Sequence, residues 1–108
     1  MKPDTVNIFG KIFKIIYCKE VSAVDSEKRN LYFGQLDAWN CNIRVFDNGE
    51  RPEGAIFETI MHEILHAISV DLNLDCFDGD KGHDELQLVA MALADILTRN
   101  NWLKDSTC

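Results

Sequence analysis

The chain lacks a long apolar run, a basic stretch and an apolar N-terminal block. Its apolar runs are short and have charged residues close by, so no segment is expected to span a bilayer. Residues 1–5 lead directly into alternating residues, which predicts that no signal peptide is present. Lysine and arginine number 11 against 18 acidic residues, and the net charge is −7. Because a nucleic-acid binder normally needs a basic surface for phosphate contacts, we expect neither nucleic acid nor membrane as a partner.

Closely spaced pairs of cysteines are also missing. The four cysteines stand at positions 18, 41, 76 and 108, and none forms a Cys-x-x-Cys pair. This spacing does not support a cysteine zinc site or a redox dithiol. Because we expect no secretory signal, we predict a reducing, cytoplasmic location in which the thiols are buried or half-buried and unpaired.

The first half of the chain has the pattern of β-strands. Apolar and polar residues alternate along residues 6–8, 13–17 and 41–45, and a turn near Gly10 predicts a hairpin between the first two segments. Residues 31–38 predict a further strand, interrupted by Gly34. The polar stretch between positions 20 and 30 is a loop or a short helix. We therefore expect about four strands in this half.

The second half has the pattern of helices. Apolar residues recur every three or four positions from 55 to 73 and again from 84 to 100, with a loop rich in glycine and aspartate at 74–82. The second helix is apolar on much of its circumference, so we expect it to be packed on more than one side. The whole predicts an α+β fold in a single domain, residues 1–108, with a small antiparallel sheet of about four strands followed by two core helices.

The first predicted helix carries the segment His62-Glu63-Ile64-Leu65-His66. Residues four apart differ by about 40° around a helix axis, so His62 and His66 project side by side and can share one ion. An alternative is that these are ordinary polar residues on a surface helix. The apolar residues around them argue against it, because they indicate a core helix, where ionisable groups need partners. The pattern therefore predicts a metal site.

The residue types in this segment suit a catalytic zinc ion. Zn²⁺ lowers the pKa of a bound water toward about 7 and polarises a substrate carbonyl. Glu63 lies about 100° around the helix from His62, near enough for its carboxylate to take a proton from that water. The motif thus predicts a zinc-dependent hydrolase with Glu63 as the general base.

A catalytic zinc ion needs a third protein ligand, and the sequence leaves its identity open. The metzincin arrangement is excluded, because Ser69 and Leu72 stand where that class has glycine and histidine. The remaining candidates follow the first helix: Asp75, Cys76, His83, Asp84 and Glu85. His83 is the only other histidine and is placed at the junction of the loop and the second helix. Glu85 is its rival, and helical phase does not decide between them, although only one can point at the ion.

The chain resembles the minimal zincin-like peptidases of bacteriophages and prophages, which are distantly similar to the ImmA/IrrE-type and SprT-type zinc peptidases. The residues that carry the resemblance are 59–68, with the His-Glu-x-x-His core, together with weaker strand signals at 6–17, 34–37 and 43–45 and the end of the second helix at 96–100. In such proteins the second helix commonly opens with two acidic residues. Leu86 and Ala90 can be aligned with the two apolar residues that follow this acidic pair in such proteins. In that alignment, His83 takes the position where a glutamate is usual. The resemblance therefore favours His83 over Glu85 as the third ligand.

The leading functional hypothesis is hydrolysis of peptide bonds in a polypeptide substrate. Residues 41–46, just before the first helix, are the strand whose edge we expect an extended substrate to join. The alternative is a metal-stabilised binding or regulatory module with little turnover, although such a site has no use for Glu63. Hydrolysis of RNA is a third possibility, which the acidic charge disfavours. Tyr17 and Tyr32 are candidates for stabilising an oxyanion, but strand tyrosines more often serve packing.

Overall fold

The alternating residues of the first half form a four-stranded sheet, and the periodic residues of the second half form two helices. The computed structural model describes residues 2–25, 33–74, 76 and 79–99, with side chains to residue 97. The elements are β1 (Thr5–Ile8), β2 (Lys11–Cys18), a short 3-10 helix (Val21–Ala23), β3 (Gly34–Asp37), β4 (Asn42–Phe46), α1 (Glu53–Asp71) and α2 (Gly79–Arg99). The α+β prediction, with about four strands before two helices, is confirmed.

The sheet has the order β1-β2-β4-β3 and is mixed rather than wholly antiparallel. β1 and β2 form the expected hairpin, whose turn residues Phe9 and Gly10 have φ of 52° and 88°. Both positive values match a turn whose twist fits the flanking strands. The chain then passes to the far edge, where β3 lies, and β4 returns between β3 and β2. β4 therefore runs parallel to β2.

The edge strand differs from the prediction for residues 41–46. β4 is hydrogen-bonded on both sides, to β2 and to β3, so it has no free edge. The strand pattern does not reveal this order, because β3 and β4 both alternate and only the long-range pairing distinguishes them. The free edge beside the helices belongs to β3.

α1 packs its most apolar stripe against the sheet. The buried residues Ile56, Ile60, Glu63 and Ala67 recur at helical spacing and face β3 and β4, whose Ile43 and Val45 have no exposed surface. Three of the four are apolar, as a core stripe requires. The fourth is the carboxylate of the motif, so the fold places Glu63 in the interface between sheet and helix.

α2 begins earlier and is less enclosed than predicted. It starts at Gly79, within the predicted loop, and Asp80 lies in its first turn, where a carboxylate interacts favourably with the helix dipole. His83 therefore lies in the second turn and not at a loop–helix junction. The prediction that α2 is packed on more than one side is wrong: Leu86, Ala90 and Ala94 are buried, whereas Leu88, Val89, Met91 and Ile96 are exposed. None of the helices in the described residues is long and apolar enough to cross a membrane.

The approach of β3 to α1 generates a first prediction. A Cβ atom at Gly34 would lie 2.6 Å from Thr59 Cγ2 and 3.2 Å from the Glu63 carboxylate, so Gly34→Ala must push β3 away from α1. We expect a loss of about 1–3 kcal/mol in the free energy of unfolding, measured by urea denaturation. Gly54→Ala is the matched control, because nothing lies within 4 Å of its Cβ position and alanine favours a helix. Equal stability of the two variants would contradict the close packing of β3.

Candidate metal centre and catalytic cleft

Three histidines from two helices converge on one point. His62 and His66 project from α1, and His83 reaches them from α2. The Nε2 atom of His62 lies 3.1 Å from Nε2 of His66 and 3.1 Å from Nε2 of His83. All three candidate ligand atoms lie within 4.8 Å of one another. The structure thus brings His83, and not Glu85, to the motif histidines.

The spacing of these nitrogens suits a tetrahedral zinc ion. Zn–N bonds of about 2.0 Å at tetrahedral angles place ligand nitrogens roughly 3.3 Å apart. The two separations of 3.1 Å from Nε2 of His62 are close to this value, and all three candidate ligand atoms lie within 4.8 Å of one another. Hydrogen bonding alone does not account for the arrangement, because the single Nε2 of His62 faces two other ring nitrogens. A cation that accepts all three lone pairs would satisfy them together. The residues present therefore fit a zinc site.

The protonation state of the histidines also suits metal binding. Burial, followed by the neighbouring His62 and His83 rings, lowers the pKa of His66 to about 4. Burial likewise lowers the pKa of His62. The hydrogen bond with Gln87 raises this pKa in part, and the His83 ring lowers it further. His62 and His66 are therefore neutral at pH 7, which is the form that binds a metal.

Gln87 orients His62, a role that the sequence motifs alone do not predict. The side-chain oxygen Oε1 of Gln87 is hydrogen-bonded to Nδ1 of His62. A carbonyl oxygen can only accept, so Nδ1 carries the proton and Nε2 keeps its lone pair for a metal. A signal for this contact exists in the sequence, because Gln87 follows His83 by four residues and so shares its face of α2.

Glu63 occupies the buried side of the motif. It is 6% exposed, and its Oε2 atom lies 4.0 Å from Nε2 of His62. Burial raises the pKa of Glu63 to about 7, and a hydrogen bond donated by the backbone N–H of Leu36 acts in the opposite direction. A divalent cation held by the adjacent histidines would favour the ionised form. The Leu36 amide also fixes the carboxylate between β3 and the histidines.

The other predicted candidates do not join this cluster. Among the residues that the structure describes, the only group of ligand side chains suited to a metal ion is the three histidines. Cys76, Asp84 and Glu85 are exposed and outside that group, and Asp75 lies outside the described residues. The hydroxyl of Tyr17 donates a hydrogen bond to Pro3 O at 2.7 Å and does not line the cleft. Tyr32 also lies outside the described residues.

In comparisons with known proteins, the chain matches no family model, no curated protein and no solved structure. The resemblance to minimal zincins therefore stays a prediction.

An open cleft of about 850 Å³ runs along one face of α1. Residues of β3 line the cleft, together with His83 and Gln87 of α2. The α1 residues that line the cleft recur at helical spacing: Ala55, Glu58, Thr59, His62, Glu63, His66 and Val70. The histidine cluster therefore lies part-way along the cleft, with cleft surface extending in both directions from it.

The outward edge of β3 is available along this cleft. The Phe46 N–H donates to Phe33 O at 2.7 Å, so Phe33 directs its main-chain groups toward β4. Because these directions alternate along an antiparallel strand, Gly34 and Leu36 direct theirs away from β4. The hydrogen bond from the Leu36 amide to Glu63 agrees with this assignment. Apart from the Leu36 N–H, which is bonded to Glu63, the outward main-chain groups of this edge are ones that an extended peptide can pair with.

The third ligand is tested by comparing two variants. We expect His83→Ala to lose zinc about as severely as His66→Ala, because two imidazoles hold the ion far more weakly than three. Glu85→Ala should keep its zinc, since Glu85 lies outside the cluster. The measurement is a titration of each zinc-loaded variant against a chelator of known affinity. Loss of zinc from Glu85→Ala with retention by His83→Ala would reverse the assignment.

The role of Gln87 is tested by removing its acceptor oxygen. Gln87→Leu keeps the side-chain volume but leaves Nδ1 of His62 without its partner, so zinc affinity should fall about 10- to 100-fold. Gln87→Glu retains an acceptor and should bind zinc nearly as well as the unmodified chain. Chelator competition measures both, and circular dichroism checks that α2 is intact. An unchanged affinity in Gln87→Leu would show that the contact does not orient His62.

Proposed function

We propose that this protein is a zinc-dependent peptidase in which His62, His66 and His83 hold the metal and Glu63 is the general base. The single observation that carries the proposal is the position of Glu63. Its carboxylate is buried beside three converging imidazoles, under an open cleft, and is fixed there by a backbone amide. A site that only stabilises a fold gains nothing from a buried carboxylate that is not a ligand.

Each part of the site has a separate task in the proposed reaction. When bound, zinc supplies a Lewis acid that activates a water and polarises the scissile carbonyl. Glu63 accepts the proton of the attacking water at its carboxylate and afterwards delivers it to the leaving nitrogen. Gln87 keeps the ring of His62 in the tautomer that offers Nε2 to the metal.

An extended polypeptide is the substrate that best suits the cleft. The free edge of β3 runs beside the histidines, and Gly34 brings its backbone against Thr59 and Glu63 without a side chain between them. A peptide paired with this edge would lie along α1 and pass the metal site. The acidic net charge of −7 argues against a nucleic-acid substrate.

The cysteines support a reducing, cytoplasmic setting for this activity. Cys18, Cys41 and Cys76 are all free thiols, and they range from buried to exposed. An exposed thiol such as Cys76 is more compatible with a compartment that keeps thiols reduced.

The general-base role is tested by Glu63→Gln. The amide has the shape of the carboxylate and can still accept the Leu36 hydrogen bond through its oxygen, but it cannot take a proton from water at neutral pH. We expect zinc content and the unfolding midpoint to be retained while peptide hydrolysis falls by at least about 100-fold. The assay follows cleavage of a denatured protein or peptide mixture by mass spectrometry. Cleavage at the unmodified rate by the zinc-loaded variant would refute the role of Glu63.

A further inference from the structure

The cleft is lined near the start of α1 by a half-buried arginine that the proposed reaction does not use. Arg51 precedes α1, and its guanidinium donates hydrogen bonds to Phe46 O at 2.6 Å, Ala55 O at 3.2 Å and Thr59 Oγ1 at 3.0 Å. Its central carbon lies 4.8 Å from the centre of the Phe33 ring. These contacts hold the cation rigidly at the cleft wall, one helical turn from Glu63 on α1.

The guanidinium of Arg51 retains hydrogen-bonding capacity, and Arg51 lines the cleft. Three of its five N–H groups are used by the carbonyl and hydroxyl oxygens, which leaves one on Nη1 and the one on Nε. No carboxylate lies within ion-pair distance of Arg51 in the described part of the chain. The charges of Asp47 and Glu58 act on it from farther away, and Asp47 is itself paired with Lys2. A half-buried cation in a cleft that has no direct carboxylate contact among the described residues suits a ligand that brings a negative charge.

The direction of β3 indicates which part of a peptide would meet this cation. Phe33, just before β3, lies over Arg51, whereas the amide of Leu36, near the end of β3, contacts Glu63. A peptide that pairs antiparallel with β3 therefore runs from the Glu63 end toward the Arg51 end. Its residues on the C-terminal side of the cleaved bond would approach the guanidinium.

We propose that Arg51 is a specificity-determining residue that binds a carboxylate of the substrate on the C-terminal side of the cleaved bond. This inference rests on the proposed peptidase function, because the cleaved bond is defined by the metal site. The carboxylate is either an aspartate or glutamate side chain or the C-terminal carboxylate of the peptide. Both can accept a charge-assisted hydrogen bond from the free N–H groups.

Glu58 gives the proposal a second and opposite prediction. This residue also lines the cleft and is close enough to Arg51 to help hold its charge, but the two do not form an ion pair. An incoming carboxylate would be repelled by Glu58 and attracted by Arg51. Glu58→Gln should therefore strengthen binding of an acidic peptide, whereas Arg51→Gln should weaken it.

The test measures peptide binding separately from cleavage. Zinc-loaded Glu63→Gln protein is titrated with amidated alanine-based peptides that differ only by Glu or Gln at one position, scanned along the chain. A second pair contains Gln throughout and differs only by a free or an amidated C-terminus. The Glu/Gln pair and the free/amidated pair distinguish the two sources of the carboxylate. The same titrations are repeated with Arg51→Gln, Arg51→Lys and Glu58→Gln added to the protein, and with Lys14→Gln as a control for the lost charge.

We expect a carboxylate to improve affinity about tenfold in at least one of the two pairs, and this preference to disappear in Arg51→Gln but not in Lys14→Gln. Arg51→Lys should keep part of it, because the charge remains while the fork geometry is lost. Equal affinity for both members of each pair in the parent protein overturns the proposal without requiring any variant to fold. A preference that persists in Arg51→Gln also overturns it, since the carboxylate would then be bound elsewhere, for example by the metal.

Cleavage of a peptide mixture by the unmodified protein separates this inference from the function on which it rests. Efficient cleavage at bonds that have neither an acidic residue nor the C-terminus close by on the C-terminal side would refute the role of Arg51. The peptidase function would be left intact. Failure to cleave any peptide would refute the peptidase, and the binding titrations would still decide whether Arg51 binds a carboxylate.

Discussion

The burial of the Glu63 carboxylate between β3 and α1 is the constraint that the rest of the site depends on. A carboxylate in such a position is costly unless something stabilises its charge, and here burial raises its pKa to about 7. Two features of the fold accommodate it. The missing side chain of Gly34 leaves room for the carboxylate under the strand, and the outward amide of Leu36 donates to it. A cation at the histidines would supply the remaining stabilisation.

α1 serves several purposes because its faces are distinct. The stripe that contains Ile56, Ile60 and Ala67 fills the core, and Glu63 continues that stripe. The neighbouring stripe, with Thr59, His62 and His66, forms the floor of the cleft. A turn of about 100° per residue allows the proposed general base, Glu63, to be buried while the proposed ligand next to it, His62, remains accessible. The His-Glu order of the motif thus couples a core position to a cleft position.

The sequence predicts the parts of this site that depend on local spacing and misses those that depend on pairing. The motif residues, the two helices and the α+β order follow from periodicities that a single helix or strand imposes. The choice of His83 rests on a resemblance, and the structure places His83 beside the two motif histidines. The parallel pairing of β2 with β4, the position of β3 at the edge and the contact of Gln87 with His62 join residues far apart in the chain. α2 begins at Gly79, before the predicted start, although Gly79 and the buried Gly82 have poor helix propensity.

The link between α1 and α2 explains why stability and catalysis must be tested separately. The buried residues of α2 are Leu86 and small residues such as Ala90 and Ala94, and much of its apolar surface remains exposed. Because His83 faces two histidines of α1, a bound metal would join the helices and stabilise the folded state whatever its chemical role. Loss of stability on removing a ligand is therefore expected both for a peptidase and for a metal-stabilised binding module. Glu63 separates the two possibilities, since it lies beside the proposed ligands and is not a member of the histidine cluster. In a peptidase, a change at Glu63 would affect proton transfer while leaving the link between the helices in place.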